Sequence, residues 1–258
     1  MSSDCCVRIQ QRTGNWEQPP CESNSVADEH SPIRPTSVEE VQDFLKEISM
    51  DDCQQAGWTL VCHKEDCDVW AMKGESSGTI KIKVDGSASF REIPLEVLID
   101  VITSPLHMDK WDKNMLDFRT VRNIDQHTRV NYYSVSMPTP LKNRDWVLRQ
   151  SVVAPESGTP PAKSECIIFN KSCSFPEYPE FPEFVRAHCI LNGWHIKPTP
   201  DGHGCLVHYY AHNEFLGSIP TFLVNWATKV LASTIVGRLR QACDIVINER
   251  KQSLTTIN

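Results

Sequence analysis

The sequence predicts an α+β fold: one antiparallel sheet of about nine strands with helices gathered on one side of it. Two observations carry that prediction. Apolar periodicity runs in the order helix, three strands, two helices, six strands, helix, which is not the strand–helix alternation of a parallel doubly wound sheet. The connections between strand-like segments are short and turn-rich, as at 155–161 (Pro-Glu-Ser-Gly-Thr-Pro-Pro) and 200–204 (Pro-Asp-Gly-His-Gly). With 258 residues, 40 % of them apolar and 23 % charged, the chain can bury an ample core in one domain.

Taken in order, residues 1–36 carry four prolines and almost no aliphatic periodicity, so they predict a disordered N-terminal tail. Ser37-Val-Glu-Glu40 is a capping box, and Val38, Val41, Phe44, Leu45 and Ile48 follow at helical spacing. The folded domain is therefore assigned to 37–250, followed by a short tail at 251–258. Segments 58–63, 67–72 and 79–84 alternate as three strands. Pro94 opens a helix that Ser104-Pro105 ends, and 106–113 supplies a second short one. Strand alternation resumes at 115–124, 128–137, 145–154, 165–173, 184–197 and 204–214. From Pro220 to about Asn248 an apolar stripe that includes Leu223, Trp226, Val230, Leu231, Ile235, Leu239 and Ala242 predicts one long helix of roughly 43 Å. Gly237 inside it costs roughly 1 kcal/mol relative to Ala, which predicts close packing or a bending point there, packing being the commoner cause.

Several function classes fall away on composition. A net charge of −7 and a pI near 5.7 exclude a general nucleic-acid binder held by phosphate neutralisation. The longest stretch without Asp, Glu, Lys or Arg is Phe215 to Thr228, too short to span a bilayer, and the N-terminus shows no signal-peptide pattern, so a cytoplasmic protein is expected. Eleven scattered cysteines in such a chain are expected to be reduced. Gly74-Glu-Ser76-Ser-Gly78 matches the hydrolase pattern, but a strand follows where the nucleophile elbow needs a helix, so no enzyme is expected. Neither Cys62-His63 with Cys67 nor His203, His208 and His212 completes a tetrahedral ligand set, and no metal or cofactor is expected.

Four ordered motifs point further: Gly57-Trp58, Lys110-Trp111-Asp112, Asn143-Arg144-Asp145, and Ile219-Pro220 with Asn225-Trp226. Together they resemble a START domain, the steroidogenic-acute-regulatory-related lipid transfer family, over about 37–250. The run Pro138-x-Pro-Leu-Lys-Asn-Arg-Asp145 is most similar to the phosphatidylcholine-transfer-protein-like subgroup. The resemblance implies a helix-grip fold in which the last helix closes a tunnel around one lipid, with no covalent chemistry. It also implies an intracellular carrier that moves an amphipathic lipid, a phospholipid being favoured, between membranes. The alternative is a lipid-gated adaptor that recruits a protein partner.

Alternation then assigns the wall. The resemblance turns inward Asn131, Tyr133, Val135 and Met137 on one strand, and Trp146, Leu148, Gln150 and Val152 on the next. Later strands contribute His188, Ile190, Asn192 and Trp194, then Val207, Tyr209 and Ala211. The resemblance makes Leu223, Trp226, Val230 and Leu231 the expected lid. Four positions depart from the family pattern. Met108 aligns with an Arg that binds phosphate, Ile190 and Ala211 replace two rings of a choline cage of which Tyr133 and Trp146 remain, and Gln150 aligns with the Arg of sterol carriers. Between Pro220 and Lys251, Lys229, Arg238, Arg240, Arg250 and Lys251 outnumber Asp244 and Glu249, a local +3 that suggests membrane contact through the last helix or, equally, helix-dipole complementation. The repeated pattern Phe175-Pro-Glu-Tyr-Pro-Glu-Phe-Pro-Glu183 is expected to be a surface loop near the tunnel mouth.

Overall fold

The structure is a computed structural model that describes residues 33–51, 53–72, 78–154, 165–217, 219–220, 224 and 232–256. Helix α1 (Val38–Ile48) starts at Ser37, whose hydroxyl accepts from the Glu40 N–H while the Glu40 carboxylate accepts from the Ser37 N–H, completing the capping box. Strands β1 (Thr59–His63), β2 (Asp68–Met72) and β3 (Thr79–Asp85) precede α2 (Leu95–Thr103) and α3 (Met108–Trp111). Then come β4 (Met115–Asn123), β5 (Thr128–Val135), β6 (Asn143–Val153), β7 (Cys166–Ser172), β8 (Phe184–Arg186), β9 (His188–Pro198) and β10 (Cys205–Glu214), and finally α4 (Ala232–Thr256).

All ten strands join one sheet in the order β1-β2-β3-β10-β9-β7-β6-β5-β4. Every pairing along it is antiparallel; β8 adds a short parallel pairing to β6, Asn143 opposite Phe184. The single strand expected over 184–197 is thus two, broken at Ala187, whose N–H bonds to the Asp145 carbonyl.

Alternation divides the side chains between two faces. On the inner face Val69, Ile82, Ile168, Trp194, Ile196 and Val207 pack with α2, α3 and α4. On the outer face Ile167, Phe169, Leu191 and Tyr210 pack with Val41, Phe44 and Ile48 of α1, and the Phe44 and Phe169 rings stack at 5.5 Å. The helices are therefore not all on one side: an amphipathic helix outside covers the apolar row that α4 cannot reach.

Val236, Leu239, Ala242, Cys243 and Val246 of α4 are buried in the inner core. The helix is pinned by Lys110 to Glu249 at 2.9 Å, by Arg250 to Asp100 at 2.6 Å, and by Arg240 Nη1 donating to the Ser89 carbonyl at 2.7 Å. Pairs this exposed contribute little energy, but they set the helix phase. Helix α4 continues to Thr256, so most of the assigned C-terminal tail is helical. Within the earlier part of the expected helix Val224 is helical, whereas Leu223, Trp226, Val230 and Leu231 lie outside the described residues, as does the tail through residue 32.

The Asn143-Arg144-Asp145 motif works through the same alternation. Arg144, 2 % exposed, points inward and donates from Nε to the Phe215 carbonyl at 2.9 Å, from Nη2 to Leu216 at 2.8 Å and from Nη1 to Lys142. Asp145, fully buried, points outward and holds Arg186 through both oxygens at 3.0 and 2.9 Å. Arg186 in turn donates to the Tyr178 and Pro179 carbonyls. One residue therefore fastens the link between β10 and the last helix, and its neighbour fastens the Pro-Glu loop. That loop packs Phe175, Tyr178 and Phe181 against Val130, Tyr132 and Val147 on the outer face, away from the tunnel-mouth position expected of it.

None of the eight described cysteines forms a disulfide, and burial pushes the thiols of Cys166, Cys189, Cys205 and Cys243 up to about 12, which keeps them protonated. Two predictions follow from the packing. A Cβ on Gly237 would meet no heavy atom of the described residues within 4 Å, so the close packing expected there is absent. Gly237→Ala should stabilise the protein by about 1 kcal/mol, raising the melting temperature by roughly 2–4 °C; an unchanged or lower value in a thermal melt would contradict this. Arg144→Met, which strands three carbonyls, should cost on the order of 3 kcal/mol in urea unfolding, and a loss below about 1 kcal/mol would refute the clamp.

Candidate functional site

A cavity of about 490 Å³ lies on the inner face of the sheet beside α4. Its volume falls within the roughly 300–1,000 Å³ range of small-molecule sites. Ile80 and Ile82 of β3 and Leu148 of β6 supply aliphatic wall, Ile219 and Val224 lie at the start of the last helical region, and Ile235 and Arg238 reach in from α4. The loop from Ser136 to Pro138 forms part of the rim. The aromatic wall is self-bracing: Tyr133 and Trp146 lie 5.6 Å apart, Phe215 meets the Trp146 ring edge-on at 5.6 Å, and Tyr209 leans on Trp194 at 4.4 Å.

The polar groups are few. The Tyr133 hydroxyl donates to the Asp112 carboxylate, and burial together with that negative charge raises its pKa well above the usual phenol value. The other Asp112 oxygen accepts from the Asn114 N–H at 3.1 Å. Asn192 Oδ1 accepts from Asn170 Nδ2 at 2.7 Å. Trp146 Nε1 and Asn213 Oδ1 are buried with no protein partner among the described residues. Such groups are costly when left empty, and both lie on residues that line the cavity.

Of the residues expected at the site, Tyr133, Val135, Trp146, Leu148, Asn192, Tyr209 and Ala211 come together in its wall, with Met137 beside them. Asn131 and Gln150 share the inner face of β5 and β6 but lie beyond the cavity. Asn131 Oδ1 accepts from the Thr120 hydroxyl at 2.9 Å, and Gln150 Oε1 accepts from Arg129 Nε at 2.8 Å and Nη2 at 2.6 Å. Met108 is buried in the core among the helices and does not line the cavity. His188 and Ile190 face outward, against expectation. A β-bulge is the cause: His212 pairs with Leu191 and Asn213 with Cys189, so Ile190 is the extra residue and parity reverses below it. Cys189 takes the inward place and packs with Trp146 and Leu148, while Ile190 is 36 % exposed and His188 meets Glu214 at 3.4 Å.

Among the cavity residues that the sequence reading did not assign to the site are Asp112, Asn213, Phe215 and Arg238. The signal for Asn213 was available, since it shares parity with Tyr209 and Ala211. For Arg238 it lay in the helical phase, three residues after Ile235; counting it as one of five surface charges hid it. Arg240 and Arg250, from the same count, are occupied by Asp244 and Ser89 and by Asp100. All of the Gly74–Gly78 motif except Gly78 lies outside the described residues. Among the described residues no helix is long and apolar enough to cross a membrane, and no group of three His, Cys, Asp or Glu side chains is placed to hold a metal.

Known proteins share this arrangement. Mouse START domain-containing protein 10 is 30 % identical over 207 residues, covering 80 % of this chain and 67 % of that protein. Rat phosphatidylcholine transfer protein is 24 % identical over 213 residues, covering 80 % and 93 %. The crystal structure of human STARD10 superposes with a TM-score of 0.68 at 26 % identity, over 92 % of this chain and 87 % of that one. The START domain family profile matches residues 37–246, and with the helix, sheet and cavity in the places described, the chain belongs to that family.

Proposed function

We propose that this protein takes one phospholipid into the cavity and carries it between membranes without altering it covalently. The observation that carries this reading is the cavity itself, an apolar and aromatic enclosure with a few isolated polar groups. Its physical logic is the cost of the journey. An acyl chain of about sixteen carbons exposed to water costs on the order of 12 kcal/mol, so a carrier must enclose what it extracts. The match to phosphatidylcholine transfer protein supports a phospholipid as cargo. Seven of the wall residues, from Tyr133 on β5 to Ala211 on β10, are proposed to contact it.

Peripheral contact with a membrane through the last helix belongs to this proposal. Electrostatic attraction is a minor part of it, because Arg240 and Arg250 are held by groups of the protein itself. The account places the protein in the aqueous phase between contacts.

A vesicle-to-vesicle assay with fluorescent phosphatidylcholine tests the reading. The wild-type protein should move lipid at substoichiometric concentration. Ala211→Trp, which pushes an indole into the cavity from a buried position on β10, should reduce transfer to background while the protein still unfolds cooperatively. Equal transfer by the variant would show that lipid travels elsewhere, and no transfer by the wild type would refute the carrier.

A further inference from the structure

We propose that Arg238, on the helix that closes the cavity, is the anchor for the anionic phosphate of the cargo, so that the same contact selects phosphodiester lipids and ties the closing helix to them. This rests on the carrier reading and specifies how its site recognises cargo.

The charges around the cavity are unequally satisfied. Asp112, the carboxylate in the wall, accepts from the Tyr133 hydroxyl and from the Asn114 N–H. Arg238 has no carboxylate or hydrogen-bond partner among the described residues, although its neighbours on α4 do: Arg240 holds Asp244 and the Ser89 carbonyl, and Arg250 holds Asp100. A guanidinium in an apolar enclosure favours an oxyanion, which it can meet with two parallel N–H bonds. Trp146 Nε1, on a side chain only 5 % exposed, is a second donor in the wall without an acceptor among the described residues.

Among the described residues the cavity thus offers two unmatched donors, one of them charged, to whatever fills it. A phosphodiester with ester carbonyls supplies the anion and further acceptors. A sterol or a ceramide supplies no anion and would leave Arg238 unpaired against an apolar ligand, which is the more costly state. Met108, at the position aligned with the family's phosphate-binding Arg, is buried among α2, α3 and α4 and contributes no charge. Arg238 supplies the cation from a different element. Because it stands on α4, a bound phosphate also bridges sheet and helix, and losing it loosens the closure.

The test compares wild type, Arg238→Gln and Arg238→Lys, each loaded from phosphatidylcholine vesicles and, separately, from vesicles doped with ceramide of matched chain length. Release is then followed into acceptor vesicles. Arg238→Gln should release phosphatidylcholine on the order of 10- to 100-fold faster, with ceramide release unchanged, and Arg238→Lys should lie between it and the wild type. Unchanged phosphatidylcholine release in Arg238→Gln overturns the assignment while leaving the carrier intact. Equal acceleration for both lipids also overturns it, because the residue would then be serving helix packing alone. Wild type that loads ceramide but no phosphatidylcholine overturns the phosphate anchor, and wild type that loads neither overturns the carrier reading beneath it.

Discussion

Val236, Leu239, Ala242 and Val246 of α4 pack with α2 and α3 on the inner sheet face, and beyond them that face lines a cavity of about 490 Å³. That apolar cavity beside the closing helix is the constraint on which the rest depends. Uncovered apolar surface is unfavourable in water, so it must be filled by side chains or by a ligand. Here Tyr133, Trp146 and Phe215 brace one another around the gap without closing it. On the outer face, α1 and the Pro-Glu loop each cover an apolar patch.

Charge is used to hold these layers in register. Arg144 and Asp145 are adjacent, buried and opposite in direction, so one strand position controls both the link to the closing helix and the loop on the far side. Breaking a buried pair leaves an uncompensated charge, which makes such residues sensitive to substitution in a way that the surface pairs of α4 are not. The distinction matters for the net positive count of the last helix. Two of its five basic residues are docking contacts and a third lines the cavity, so the sum over the sequence did not describe a patch.

Much of the fold was legible because it is written in local pattern. The Ser37–Glu40 box, the alternation of β5 and β6 and the turn clusters each state their structure within a few residues. The side of the sheet on which α1 packs was not legible, since an amphipathic helix fits either face equally well. Nor was the bulge at Ile190, which depends on how β9 and β10 match in length rather than on either strand alone. That one inserted residue accounts for both His188 and Ile190 among the site assignments. Gln150 lies on the inner face, but its side-chain oxygen is taken by Arg129, its cross-strand neighbour, which pattern alone does not reveal.

The central claim is that the gap is filled by lipid, and native mass spectrometry of the purified full chain addresses it most directly. The account predicts a near-stoichiometric added mass that, after denaturation, is a phosphorus-containing lipid. A mass that remains that of the bare chain after incubation with phospholipid, sterol and ceramide vesicles would contradict it, and would mean that the protein closes the gap with its own residues.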